Sequence, residues 1–421
     1  MGLPRSIAIV GAGVSGLTAA HVLARHRDVT LYEAEQRLGG HAHTHALTDA
    51  AGRGHGVDSG FIVHNDRTYP NLRRLFAELG TDVVETEMSM SITDPASGLS
   101  FAGGRGAGGI FAQARRAASP RFLRMLGAVR RFHRLAHEHL TDTDGDGLET
   151  FGDFLDRHRF GSDFRRWYAV PLVACVWSSG AQTATRYPAR YLFRFLDHHG
   201  MLQVTGSPQW YTVRGGSRSY VDALAANLPD VRAGLPVRGI ERRADGATII
   251  TADGERRDHD AVVVAVHADD ALTLLADPTD DERAVLGAFR YSDNETVLHT
   301  DASLLPGPRR ARASWNYLVD PAADDRPPIV TYWMNRLQRL ESETQYLVTL
   351  GARERIAPDS VLAVMAYRHP VYEPASVAAQ RRLPDLMSAT TVYAGAYHGW
   401  GFHEDGCRSG VEAAAALGVR W

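Results

Sequence analysis

The chain contains no lysine: all 46 of its basic residues are arginine. That excludes Schiff-base catalysis and a Walker-type phosphate loop, both of which need a lysine amine. Only two cysteines, Cys175 and Cys407, occur in 421 residues, which rules out a disulfide framework and fits a reducing cytoplasm. No apolar run reaches the roughly eighteen residues needed to cross a bilayer. The first apolar run, Ser6 to Val10, leads straight into glycines, unlike a secretory signal. A net charge of −3 carries no polyanion-binding signature, so no nucleic-acid partner is expected. With 44% hydrophobic residues the chain can bury a large core, and its length predicts roughly two or three domains.

Glycine is plentiful, and its placement near the start is informative. Ser6-Ile7-Ala8-Ile9-Val10 runs into Gly11-Ala12-Gly13-Val14-Ser15-Gly16, with a helical stretch over 17–26. Val29-Thr30-Leu31-Tyr32 reads as a second strand, closed by Glu33. Gly11 permits the tight turn, Gly13 lets a pyrophosphate approach the backbone, and Gly16 lets helix and strand pack closely. A diphosphate there meets free N–H groups and the positive end of the helix dipole. Glu33 is placed to accept from ribose hydroxyls and to repel a 2′-phosphate. Strand, turn, helix and acid in this order identify a dinucleotide site.

Later segments separate FAD from NAD. Gln36-Arg37-Leu38-Gly39-Gly40-His41 and Asp58-Ser59-Gly60-Phe61 follow the ribose acid. Arg214-Gly215-Gly216-Ser217 precedes a helix, and 231–266 reads as strands. Tyr393-Ala394-Gly395-Ala396 leads to Gly401-Phe402-His403-Glu404-Asp405-Gly406. Together these segments resemble the glutathione-reductase-like FAD superfamily, in its flavin amine oxidase branch, over essentially the whole chain. The resemblance implies an α/β fold. A Rossmann-like FAD-binding domain would assemble from 1–80, 205–270 and 385–421. An α+β substrate domain would be inserted as 81–204 and 271–384.

The resemblance also implies cofactor contacts. Gly11, Gly13, Ser15, Gly16 and Glu33 would hold the nucleotide. Arg37, Gly39, Gly40, His41 and Val237 would hold the phosphates and their surroundings, and Ser59, Gly60 and Phe61 the flavin edge. Gly395, Phe402, His403, Glu404, Asp405 and Gly406 would bring a helix N-terminus to the flavin pyrimidine carbonyl. Ala396 stands where relatives place a carboxylate for the ribityl chain, so Glu404 or Asp405 is expected to take that contact. Some relatives attach flavin through a cysteine. Cys407 stands at a different offset, and non-covalent FAD is expected.

Within the branch the chain is most similar to bacterial FAD proteins associated with cyclopropane fatty acid synthase-type methyltransferases. The similarity rests on Gly39-Gly40-His41, Asp58-Ser59-Gly60-Phe61-Ile62-Val63, Ala174-Cys175-Val176-Trp177-Ser178, His369-Pro370 and the Gly-Phe-His-Glu-Asp-Gly segment. It implies a desaturase acting on unsaturated or methyl-branched fatty acyl chains or phospholipids. A more distant relative is a fatty-acid double-bond isomerase. An amine oxidase is the third reading, weakened because many such enzymes use a lysine to hold a water against flavin N5. A non-catalytic flavoprotein partner of the methyltransferase is the fourth.

In all the enzymatic readings the cofactor carries the hard step, and the protein supplies orientation and a dry pocket. A base must still remove a proton if a double bond is to form. His64, His369, His398, His403 and Glu404 are the candidates, since imidazole and carboxylate can be tuned towards neutral pH. Trp177, Tyr211, Trp315, Tyr332, Trp333, Tyr397 and Trp400 could wall an acyl channel.

Periodicity predicts a mostly helical first insertion, over 111–139 and 148–164, and a strand-rich second one, as at Glu295 to His299 and Ile329 to Trp333. The arginine-dense stretch Arg115 to Arg131 could lie on an anionic membrane, giving a cytoplasmic protein that touches the bilayer peripherally. Three patterns are read as decoys. Gly104 to Gly109 imitates a second dinucleotide turn but lacks the strand and acid, and reads as a loop. Asp142 to Gly147 imitates a calcium loop but lacks its final glutamate. The histidines of 41–45 and the pair His133/His137 lack assured companions, and no metal is expected.

Overall fold

The computed structural model describes residues 3–142, 149–203, 206–320 and 327–421. The calcium-like loop lies almost wholly outside them. Five parallel strands form the first sheet, in the order Asp230–Arg232, Asp28–Tyr32, Ser6–Val10, Ala261–Val264, Thr391–Tyr393. They come from three separate stretches of the sequence. Ile7, Ile9, Leu31, Val262 and Val263 have no exposed surface, as expected of a parallel sheet covered on both faces. The helix Val14–Leu23 follows the first strand, and the C-terminal helix His403–Ala416 packs beside it. A Cβ at Gly410 would stand 2.3 Å from the Ser15 carbonyl oxygen, and one at Gly16 would stand 1.9 Å from the Gly11 carbonyl oxygen. Only glycine permits these two approaches. The first sets the last helix against the start of the first helix, and the second closes the glycine turn onto that helix.

A seven-stranded sheet forms the second layer: Val361–Val371, Arg290–His299, Leu347–Leu350, Ile329–Trp333, Trp315–Leu318, Met90–Asp94, Leu99–Gly103. The stretch 81–204 therefore contributes two strands to this sheet, which a mostly helical reading did not anticipate. Met90–Asp94 pairs in parallel with Trp315–Leu318, a strand more than 200 residues away whose contact no local pattern reveals. Its helices follow, among them Pro120–Thr141, Phe151–Arg157, Val170–Trp177 and Ala189–His198. Gly106–Ile110 forms a short helix rather than an open loop, entered from the antiparallel strand Leu99–Gly103. On Pro120–Thr141, Arg121 pairs with Asp163 and Arg134 with Glu138, while His133 meets Tyr168 and His137 meets the Leu202 carbonyl. Among the described residues no helix is long and apolar enough to cross a membrane.

Asp58 locks the pieces together. It is 1% exposed and accepts from Thr44 Oγ1 (2.5 Å), Ser217 Oγ (2.7 Å), the Ser217 N–H (3.0 Å) and Gln338 Nε2 (2.9 Å). Three separate segments so converge on one carboxylate beside Ser59 and Gly60.

Candidate active site

A cavity of about 530 Å³ runs from the C-terminal ends of the parallel strands to the seven-stranded sheet. At the nucleotide end it is lined by Gly11, Gly13, Ser15, Glu33, Glu35 and Gly40. The helix Val14–Leu23 opens there with Gly13 as its N-cap and no side chain capping it. Its first-turn N–H groups are thus left for an anion. A Cβ at Gly13 would meet nothing within 4 Å, whereas Glu33 accepts the Ala12 N–H (2.8 Å) and the Glu35 N–H (2.9 Å) with its two oxygens. Further along, His41 Nε2 is buried without a hydrogen-bond partner. An uncapped helix start, an open cradle and an orphaned ring nitrogen on one wall fit a dinucleotide with a polar ring system.

Ser59, Gly60, Phe61, Ala265, His267, Gly395, Ala396, Phe402 and His403 line the middle of the cavity. Beyond them lies a chamber of Met88, Val176, Trp177, Phe195, Trp210, Trp315, Tyr332 and Leu350. Among the described residues the carboxylates on the wall are Glu33, Glu35 and Asp270, all following parallel strands. The chamber end is neutral. Of the aromatics expected to wall a channel, Trp177, Trp315, Tyr332 and Tyr397 do so. Tyr211 instead stacks on His64, and Trp333 donates to Gln345. Trp400 packs beside Phe195 and His199.

The candidate bases divide. His403 lines the cavity with its ring stacked on Phe61 (centroids 3.8 Å apart, planes at 7°) and Nε2 held 2.7 Å from Tyr220 Oη. His369 lines it too, its Nδ1 facing Asn294 Nδ2 at 3.2 Å. Burial, aided by His41, pushes both imidazoles down to about 3. They are neutral proton acceptors at physiological pH. His64 sits behind the wall against Tyr69, Phe76 and Tyr211. His398 is half-buried beside Tyr397 and Arg408, outside the lining.

Glu404 is corrected outright. Its carboxylate accepts the Asn71 N–H (3.1 Å), Asn71 Nδ2 (2.7 Å) and the Leu72 N–H (2.9 Å), capping the helix Pro70–Leu79. It faces away from the cavity and has no oxygen spared for chemistry. Asp405 likewise accepts the Trp400 and Phe402 N–H groups and pairs with Arg408, so it fixes the glycine-rich turn rather than a ribityl chain. Gly406 abuts Val14 and Ser15. Gly16 and Gly39 shape the nucleotide turn from outside the lining, the latter donating its N–H to the Ala12 carbonyl. Arg37 braces the loop below, donating to the Leu38 and Ala42 carbonyls (3.2 Å each). Val237 starts the antiparallel strand Val237–Arg243, also outside the lining. Cys407 is fully buried against Thr18 and does not border the cavity, so it is not placed to hold the flavin; the thiol on the wall is Cys175, on the chamber side.

Sequence reasoning missed Tyr367, His267, Trp210, Phe195 and Met88. Their strands and helices bring them together only on folding, and no local motif marks them.

Residues 14–298 match the family described as flavin containing amine oxidoreductase. The chain is 27% identical over 281 residues to (S)-6-hydroxynicotine oxidase of Paenarthrobacter nicotinovorans, a match covering 65% of this chain and 63% of that protein. Two solved structures share the fold over nearly their whole length. A CLA-producing fatty acid isomerase from P. acnes superposes with a TM-score of 0.71 at 16% identity, covering 99% of both chains. Cyclohexylamine oxidase from Brevibacterium oxydans IH-35A gives 0.70 at 16% identity, covering 98% of both.

Proposed function

Because the chain belongs to the flavin-containing amine oxidoreductase family and so is an FAD-dependent oxidoreductase, we propose that its substrate is an unsaturated or methyl-branched fatty acyl chain. FAD, when bound, supplies the hydride acceptor, N5. The observation that carries the substrate reading is the chamber: aromatic and aliphatic, neutral, and continuous with the nucleotide end. Apolar walls favour a hydrocarbon by removing its surface from water. Trp177, Trp315 and Tyr332 orient the chain and exclude water, while His369 and His403 are poised to take the proton lost as a double bond forms. That a fatty acid isomerase shares this fold supports the reading, because the architecture accommodates such a chain.

An acyl chain carried by a phospholipid would be met at a bilayer. The face of Pro120–Thr141, where Leu123 is exposed between Arg121 and Arg124, is the one we assign to that contact. A cyclopropane fatty acid synthase-like methyltransferase would supply the methyl-branched chain.

The test is anaerobic mixing of the holoenzyme with unsaturated and methyl-branched acyl lipids, and with amines, while the flavin absorbance is followed. Bleaching by acyl lipids with a desaturated product supports the proposal. A shifted double bond without net acceptor use makes the protein an isomerase. Bleaching by amines alone overturns the acyl reading. Turnover with neither class leaves a flavoprotein partner of the methyltransferase.

A further inference from the structure

A net oxidation that passes a hydride through this cavity must also move protons between a dry chamber and water. Several polar contacts of the lining are dead ends. His403 is held by Tyr220, which has no exposed surface. His199 Nδ1 faces the Phe195 carbonyl. His369 reaches Ser292 only through the Asn294 amide, which donates but does not relay protons.

A connected set of hydroxyl and imidazole groups leads outward from the middle of the cavity. Tyr367, on the strand Val361–Val371, and Ser59, after the strand Gly54–Asp58, both line the cavity and are 7% and 5% exposed. Their oxygens are 2.7 Å apart. Tyr367 Oη is 2.9 Å from His43 Nδ1, and Ser59 Oγ is 2.9 Å from His45 Nε2. The two imidazoles lie 4.2 Å apart, and both residues are half-buried rather than closed off from solvent.

We propose that Tyr367 and Ser59 are the inner end of a proton relay to His43 and His45 that connects the cavity with water. Outward, Tyr367 Oη takes a proton from the cavity and gives its own to His43 Nδ1; one O–H bond forms as another breaks, and His43 releases a proton from Nε2 to water. Ser59 passes protons to His45 Nε2 in the same way. A proton carried inward afterwards reverses each transfer and restores the starting tautomers. Arg37 and Arg218 face both imidazoles and, with burial, hold them neutral between transfers. Arg37, Glu35 and Asp58 are the charges around Tyr367. The relay rests on the flavin oxidoreductase assignment alone and holds for any substrate.

The test therefore uses no substrate. Dithionite supplies two electrons to the holoenzyme and water supplies the proton. Reduction is timed in H2O and D2O for the parent, Tyr367→Phe and the double variant His43→Gln/His45→Gln, at matched FAD content. Both variants should slow full reduction by at least about tenfold, a typical scale for proton-transfer assistance. Imidazole added to the buffer should restore the double variant and leave Tyr367→Phe slow. In [15N]histidine-labelled holoprotein, Tyr367→Phe should shift the His43 Nδ1 resonance. Parent-like rates in the double variant, or no rescue by imidazole, overturn the relay. So does a His43 signal indifferent to Tyr367→Phe. If Tyr367→Phe does not fold, the His43→Gln/His45→Gln variant and its rescue decide alone.

Discussion

Three carboxylates and one imidazole, on the cavity wall or just behind it, show how similar residues take different duties. Glu33 turns both oxygens to backbone N–H groups yet remains on the lining, so it shapes the nucleotide turn while offering lone pairs to a ribose. Glu33→Ala should release FAD on dialysis, since an unpaired buried polar group costs about 1–3 kcal/mol; full retention would remove it as the ribose ligand. Glu404 and Asp405 follow His403 directly but point into the protein, because successive helical residues are rotated by about 100°. Glu404→Ala should cost about 1–3 kcal/mol in denaturant unfolding, as two backbone donors and the Asn71 amide lose their acceptor. Its flavin reduction rate per bound FAD should stay at the parent value. His403→Ala should do the opposite, slowing reduction by substrate about 10²-fold or more per bound flavin. A His403→Ala enzyme reducing at the parent rate would leave His369 as the base.

At the level of elements, the decisive contact is between the first helix and the last. They cross closely through Gly406 and Gly410 of the last helix, and the crossing sets where Phe402 and His403 stand relative to the nucleotide turn. Gly410→Ala places a methyl against the Ser15 carbonyl, a backbone atom unable to swing aside. Overpacking of this kind costs about 1–3 kcal/mol. Thermal unfolding should therefore begin earlier and FAD should be held less tightly, with an unchanged melting profile refuting the contact. The helix Pro120–Thr141 makes a separate prediction. If it meets an anionic surface, co-sedimentation with phosphatidylglycerol vesicles should weaken as salt rises, since the field is screened within about 8 Å at physiological ionic strength. Arg124→Gln/Arg130→Gln should reduce it further. Binding equal for both proteins, or absent at low salt, would remove the membrane face.

The whole molecule buries many imidazoles in neutral form. Burial first, then neighbouring cations or imidazoles, pushes His41, His64, His199, His267 and His398 down to about 4, and His369 and His403 to about 3. In the unfolded chain each would take a proton near pH 6.5. Between that pH and about 4 the unfolded state therefore binds more protons, and folding stability falls as pH falls. Asp58 opposes this, since burial raises its carboxyl to about 6, but the histidines outnumber it. Stability should drop steeply between pH 6.5 and 4.5, measured as the urea midpoint in a buffer series. A flat profile across that window would mean the histidines are solvated or paired in the native state.

Local chemistry was legible before folding. The strand, glycine turn, helix and acid at 6–33 announce a nucleotide site because those roles depend on residues adjacent in sequence. The alternation over Glu295–His299 and Ile329–Trp333 likewise places strands, since side-chain direction has period two. The absence of lysine fixed, without any structure, which proton chemistry the cavity must do without. What tertiary structure alone decided is which side chains share a space. Tyr367, Ser59, His43 and His45 are separated by up to 324 residues, and Met90–Asp94 finds its parallel partner more than 200 residues along the chain. Glu404 is a helix cap rather than a base only because the helix beginning at Pro70 arrives beneath it. Such contacts carry no local periodicity: they follow from how two sheets and their helices close on one another.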